Sequence, residues 1–339
     1  MAIILGAFAL RLNLLDHVSL RGDESFTVLF VENPFAEMWQ GILTIEPNPP
    51  LLYLLLRGWI SVAGAGEFAT RYFSVFWGVL CVALLYRFAR EFFRLSNAPR
   101  ERIALAAALL IAINPYQIWH SQDVRNYTMW PALSLLALLF FWQWRNRIKA
   151  DGYVSLAQSS IIPFVAAELA ALYTHYYEAF VLVALNLYVL FFFVRRRREL
   201  WRRGIFALQS PVAQWVGAQV ALALLYLPFP LVLSNRVSSY GEGSGKQGVM
   251  LWEIWRATFS SFVLGETLSD AVRNLAWVPL AIALAVILFL FWRREQRGVF
   301  LLLWAGVPTL AVFGLNLFRP LFLERYLNGI APVYYLLFA

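Results

Sequence analysis

The sequence predicts an all-α polytopic membrane protein, and three observations carry that prediction. Hydrophobic residues make up 61% of the 339 and charged residues only 14%, against about 25% charged in ordinary globular domains. Apolar runs such as "IALAAALLIAI" at 103–113 and "LAIALAVILFLFW" at 280–292 recur along the whole chain, and a helix of roughly 20 mostly apolar residues crosses a bilayer. The runs lack the strict alternation of a barrel strand, which leaves helices as the way to satisfy the backbone in lipid.

Taken in order, the expected spans are 1–15, 69–93, 103–119, 128–144, 159–175, 176–194, 211–233, 274–292, 299–318 and 326–339, about nine or ten transmembrane helices. The first is short and interrupted by Arg11. Between it and the second lies a loop, 16–68, expected to hold interfacial helices. Within that loop, 50–64 is too short to cross, and Pro47, Pro49 and Pro50 favour an extended approach into a helix start. The run from 161 to 194 is too long for one crossing and is divided at 175/176. The segment "VMLWEIWRATFSSFVLG", 249–265, is amphipathic and reads as an interfacial helix, and the glycine- and serine-rich 238–248 reads as a loop that would suit a lid. No internal repeat and no soluble domain is evident, so 1–339 is read as one transmembrane domain. Its short first and last spans are those expected of a piece of a longer protein.

Charge placement sets the sidedness. The connections at 94–102, 145–149, 195–203 and 293–297 are basic, with six arginines in 195–203 alone. On this span map all four fall on one side, as cytoplasmic loops should. The other side receives 16–49, 120–127, 234–273 and 319–325, with most of the acidic residues. The net charge of +8 is therefore a topology signal, and with no basic stripe on a soluble domain it does not point to nucleic acid. The single cysteine, Cys81, excludes an internal disulfide.

Four polar constellations lie on the acidic side. They are Asp23–Glu24; Glu46 before the prolines; "WHSQDVRNY", with His120, Gln122, Asp123, Arg125 and Tyr127; and "FRPLFLERYLNGIAP", with Arg319, Glu324, Arg325 and Tyr326. His175 in "YTHYYEAF" joins them. Each has an ordinary reading: solvated surface for the acid pair, helix capping for Glu46, local pairing for Arg125 and Arg325, an aromatic belt for His175. Together they make a chemical set, since a carboxylate serves as general base toward a hydroxyl and an arginine holds phosphate bidentately. The reaction such a set suits is group transfer from a phosphate-linked membrane donor to an acceptor hydroxyl or amine.

The order "DE", "EPNPPLLYLLLRGWISVAGAGEFATRYFSVFWGVL", "NPYQIWHSQDVRNYTMWPALS", "LYTHYYEAFVL" and "ERYLNGIAPVYYLL" resembles the membrane glycosyltransferases of the C-type fold. Specifically, it resembles glycosyltransferase family 39, the protein mannosyltransferases and aminoarabinose–lipid A transferases, over nearly all of 10–339. The resemblance implies an inverting enzyme of the bacterial or archaeal plasma membrane. It would move a sugar from a polyprenyl-phosphate donor to a lipid, glycan or protein acceptor at an extracytoplasmic site in the first outer loop. Carried over residue by residue, Asp23 is the general base and Glu24 positions the site or contacts the acceptor. Arg125 and Arg325 neutralise the leaving phosphate, with Tyr127 and Tyr326 beside them. Glu46, His120, Gln122, Asp123 and His175 fall near the acceptor or a metal, and Glu46 matches a position that in some relatives ligates a divalent metal. Many relatives have His where this chain has Asn48. A transporter or flippase of a lipid-linked saccharide is the alternative, which paired broken helices and charge near the midplane would favour.

Overall fold

The computed structural model describes residues 1–46, 48–96, 98–149, 152–201, 207–231, 249–265, 277–292, 295–318 and 322–339. Arg319, Arg293, Arg294 and the 238–248 loop lie outside these. Every regular element among the described residues is helical: α1 (Ala2–Leu12), α2 (Gly22–Glu32), α3 (Phe35–Thr44), α4 (Leu51–Ala63), α5 (Glu67–Phe92), α6 (Arg100–Ile113), α7 (Pro115–Ser121), α8 (Met129–Arg147), α9 (Ile161–Leu172), α10 (Glu178–Arg195), α11 (Arg197–Trp201), α12 (Pro211–Tyr226), α13 (Leu251–Leu264), α14 (Trp277–Trp292), α15 (Gln296–Phe318) and α16 (Ala331–Leu337), with 3-10 turns at Leu156–Gln158 and Glu324–Ile330.

Four helical segments are long and apolar enough to cross a membrane: α5, α10, Pro211–Leu231 and α15. The expected span 103–119 is instead a bent pair, α6 and α7, meeting at 60°. Pro115 explains the break: it stands at the first position of α7, while the Asn114 side chain accepts from the Gln117 N–H at 3.0 Å and caps the new helix. The expected ten spans thus include short apolar helices, α1 and α9, of 11 and 12 residues. The 50–64 segment is the 13-residue α4. Residues 173–177 separate α9 from α10, where the long apolar run was expected to divide.

At the centre stand α5 and α8, packed on each other; α5 also meets α1, α4, α6 and α7, and α8 meets α9. Of the 19 residues of α8, 13 are buried, so protein surrounds it on most sides. Its lower half joins an aromatic core in which Phe92, Trp142 and Phe300 interlock at 4.6–5.7 Å between ring centroids. A second apolar cluster fastens the first loop to the other end of the bundle: Val28, Phe30, Met38, Ile42, Leu52, Tyr53 and Leu56 of α2–α4 pack with Phe73, Val124, Met129 and Trp130. The amphipathic α13 is docked on protein, against α7, the 324–330 turn and α15. Its Phe262 carbonyl accepts from the Asn114 amide at 2.6 Å.

Arg11, the charge that interrupts the first apolar run, is fully buried. Its guanidinium donates to the carbonyls of Ala112 (2.9 Å) and Ile111 (3.1 Å), the orphan acceptors at the end of α6, and to Ser121 Oγ (3.0 Å). The residue is a clamp joining α1, α6 and α7. Gly78 of α5 makes room for it, because a Cβ there would stand 2.2 Å from Ser121 Oγ and 3.2 Å from Arg11 Nε. Gly78→Ala is therefore expected to lower the stability of the detergent-solubilised protein by about 1–3 kcal/mol. Gly58→Ala, where nothing lies within 4 Å of the added carbon, should be neutral or slightly stabilising; comparison of their unfolding midpoints checks this.

Candidate active site

The site is assembled where α2, the 122–128 loop, the 173–177 loop and the Glu324–Ile330 turn meet. Its organising contact is an ion pair. Glu24, 1% exposed, accepts from Arg71 through both oxygens, Nε to Oε1 and Nη2 to Oε2, each at 2.9 Å. The same carboxylate accepts from the Arg21 backbone N–H at 3.1 Å, closing the first turn of α2, and from the Val124 N–H at 3.3 Å. Arg71 also donates to the carbonyls of Leu15, Val18 and Ser19. One pair of charges thus holds the start of α2, the chain leading into it and the 122–128 loop.

The structure gives the adjacent carboxylates Asp23 and Glu24 different surroundings. Neighbouring residues on a helix point about 100° apart, so the two diverge at once. Glu24 turns inward and its oxygens are occupied by four donors. Asp23 turns outward, its side chain 63% exposed, with Oδ2 at 3.9 Å from Arg325 Nη2. Asp23 alone of the two is open to a substrate.

The arginines converge on it. Arg325 lies with its guanidinium carbon 5.2 Å from the centre of the Tyr127 ring. Arg125 donates Nη1 to Thr27 Oγ1 at 3.0 Å. Burial acts to release the Arg125 proton, but the fields of Tyr53, Tyr127, Glu46 and Asp23 outweigh it and hold the guanidinium charged. The Nε atoms of Arg125 and Arg325 are both buried without a hydrogen-bond partner. Unused cationic donors of this kind are costly unless an anion meets them.

The remaining expected residues divide into two groups. Glu46 is buried and faces Arg125 and Tyr53. Its Oε1 accepts from the backbone and side-chain N–H groups of Asn48, at 3.0 and 2.5 Å. Among the described residues no three His, Cys, Asp or Glu side chains gather as metal ligands. His120 is buried against the Tyr116 and Tyr127 rings, with Nδ1 3.7 Å from Asp123 Oδ2. Gln122 turns away: its amide donates to the carbonyls of Arg11 (3.1 Å) and Asn13 (2.8 Å) and ties down the end of α1.

His175 stacks on Trp130 at 4.1 Å and 13°, and the rings of Tyr177 and Tyr326 pack beside it. Its Nδ1 accepts from the Tyr177 N–H at 3.2 Å. Burial, with Arg125 nearby, pushes its pKa down to about 3, so the ring is neutral and its remaining proton is on Nε2. Beneath it, Trp130 Nε1 (2.5 Å) and Ser134 Oγ (2.9 Å) donate to the buried Glu178. The 3-10 turn bearing Arg325 is fixed by Asn328, which accepts from Gln117 Nε2 (2.8 Å) and donates to the Tyr127 carbonyl (2.7 Å).

Sequence reasoning had not singled out Arg71, Thr27, Tyr53, Trp130 or Glu178. The signal for Arg71 and Glu178 was present, since each is a charge at the edge of a long apolar helix, where a polar partner or a function is the default expectation. Thr27, Tyr53 and Trp130 carry no such mark.

No family model and no curated protein matches the chain. Solved structures do match its fold. ArnT from Cupriavidus metallidurans, in the structure bound to undecaprenyl phosphate, aligns with a TM-score of 0.66 at 18% identity, over 99% of this chain and 58% of ArnT. The oligosaccharyltransferase AglB from Archaeoglobus fulgidus, in complex with an inhibitory peptide and a dolichol-phosphate, aligns with a TM-score of 0.57 at 15% identity, over 99% of this chain and 49% of AglB. The chain thus has the C-type fold of membrane glycosyltransferases and spans only about half to three-fifths of the length of these proteins.

Two measurements test this assembly. Glu24→Ala leaves Arg71 buried and unpaired and is expected to cost roughly 3–5 kcal/mol, whereas Asp23→Ala should leave the unfolding midpoint nearly unchanged. For His175, the unfolded chain takes up a proton below the ordinary value of 6.5 that the folded protein refuses until about 3. Stability should therefore fall as the pH drops through that window, by on the order of 1.4 kcal/mol per unit. His175→Asn should show a shallower loss in thermal melts between pH 7 and 4.

Proposed function

We propose that the chain is an inverting glycosyltransferase that moves a sugar from a polyprenyl-phosphate donor to an acceptor on the extracytoplasmic face of a bacterial or archaeal plasma membrane. One observation carries the reading: an exposed carboxylate, Asp23, stands beside two arginines whose buried Nε atoms lack partners. A base and an anion site within one side chain's reach of each other are what displacement at a phosphate-linked carbon requires. The fold supports it, because a solved neighbour was captured with undecaprenyl phosphate.

In this reading Asp23 accepts the proton of the acceptor hydroxyl or amine as its heteroatom attacks the anomeric carbon. The bond from that carbon to the phosphate oxygen breaks, and its electron pair leaves on the lipid phosphate. Arg125 and Arg325 take up the developing charge, and Tyr127 holds Arg325 in place through its ring. Glu24 acts through position alone. Tyr53 and Glu46, lying near Arg125, and Asn48, bonded to Glu46, suit contacts to sugar or acceptor hydroxyls. Activation by hydrogen bonding and charge fits the acidic face, to which a donor embedded in the bilayer can bring a sugar that is charged to phosphate elsewhere.

The test is Asp23→Asn in the purified protein, supplied with a panel of radiolabelled polyprenyl-phosphate sugars and membrane-extract acceptors. Transfer should fall by about 10²–10⁴-fold, the share of a general base, with donor binding retained; Arg125→Ala should instead weaken donor binding. Undiminished transfer by the Asn variant would remove Asp23 from the role. Donor binding by the wild type with no transfer from any panel member would favour a lipid-linked saccharide transporter.

A further inference from the structure

The end of the bundle away from Asp23 carries two adjoining clefts that sugar transfer does not use. The larger, about 560 Å³, is lined by Arg145 from the end of α8, Arg297 from the start of α15, Glu295, and the apolar Phe93 and Leu95 that follow α5. The second, about 450 Å³, shares Ser96 with it and adds Arg94, Arg100 and Arg102.

Most basic residues at this end are spent or freely solvated. Arg94 pairs with Glu91 at 3.3 Å and Arg90 with Glu101 at 3.2 Å, and Arg197 and Arg198 are exposed. Arg145 and Arg297 differ. The Arg145 guanidinium is held over the rings of Trp142 (4.9 Å) and Phe192 (5.3 Å) and donates to the amide oxygens of Asn146 and Gln296. Its Nε is buried without a partner. Arg297 donates Nε to the Phe92 carbonyl at 2.8 Å. Every one of these partners is neutral, and among the described residues no carboxylate lies within 4.0 Å of either guanidinium. Each arginine stands in the other's repulsive field, relieved in part by Glu295. Aromatic rings and backbone hold two like charges together on one wall, a cost that a bound anion offsets.

We propose that this cleft binds the phosphate headgroup of an anionic phospholipid from the leaflet at the basic end. Two guanidinium forks match the tetrahedral oxygens of a phosphate. The lipid source is favoured over free phosphate by position. The cleft opens between the ends of α5 and α15, two of the membrane-crossing helices, and Leu95, 60% exposed, extends an apolar wall from the charged one. Basic pockets between transmembrane helices recognise anionic headgroups in this way. The site is separate from the acidic face and does not depend on the reaction proposed there.

The experiment is native mass spectrometry of the purified protein released from nanodiscs of equal phosphatidylglycerol and phosphatidylcholine. The wild type should retain phosphatidylglycerol in preference to phosphatidylcholine. Arg145→Gln/Arg297→Gln should lose that preference by about tenfold, and Arg197→Gln/Arg198→Gln, the same charge removed at the same end outside the cleft, should keep it. The single Arg297→Gln, which gives up one backbone contact, should show an intermediate loss and guards against a double variant that fails to fold. Equal retention of both lipids by the wild type, or equal loss in the Arg197/Arg198 variant, would overturn the site in favour of diffuse surface charge. Displacement of the retained lipid by millimolar inorganic phosphate would overturn the lipid assignment.

Discussion

The acidic face depends on the pairing of Glu24 with Arg71. A carboxylate and a guanidinium removed from water this far are stable only when every donor and acceptor is used, and here Glu24 receives four hydrogen bonds while Arg71 serves three further carbonyls. The consequence is geometric. Asp23 follows the start of α2 that Glu24 closes, and Arg125 follows Val124, whose N–H Glu24 accepts. Two of the three groups proposed to act on substrate are thus each one residue from an anchored one. Preorganisation here comes from a buried ion pair rather than from contacts among the acting residues themselves.

The same division runs through the molecule. Two polar groups at membrane depth are spent on structure: Arg11 on the open end of α6, and Glu178, which accepts from Trp130 and Ser134. Guanidinium nitrogens without a hydrogen-bond partner include Nε of Arg125 and Arg325 at one end of the bundle and of Arg145 at the other. Those unfilled guanidinium nitrogens, rather than the number of arginines, mark where anions belong, because an exposed arginine is satisfied by water and a buried one is not. The acidic face sets Asp23 Oδ2 3.9 Å from Arg325, whereas among the described residues no carboxylate lies within 4.0 Å of the Arg145 or Arg297 guanidinium. On that difference rests the reading of one end as reactive and the other as a headgroup site.

Composition and periodicity alone determined that this chain is a helical membrane protein with acidic and basic ends, because the bilayer imposes length and polarity on every crossing segment. The four polar segments that gather at the acidic face were legible too, since charge beside apolar runs is rare enough to be informative. Tertiary structure decided what each residue does there. It separated Asp23 from Glu24, sent Gln122 to α1, bent the 103–119 run at Asn114–Pro115, and brought Arg71, Thr27, Tyr53 and Trp130 into the site. A side chain's partners lie tens to hundreds of residues away, as Glu24 and Val124 do, and helical rotation turns adjacent side chains to different neighbours. Residue type and spacing thus define the chemistry at hand, and only packing distributes it between scaffold and site.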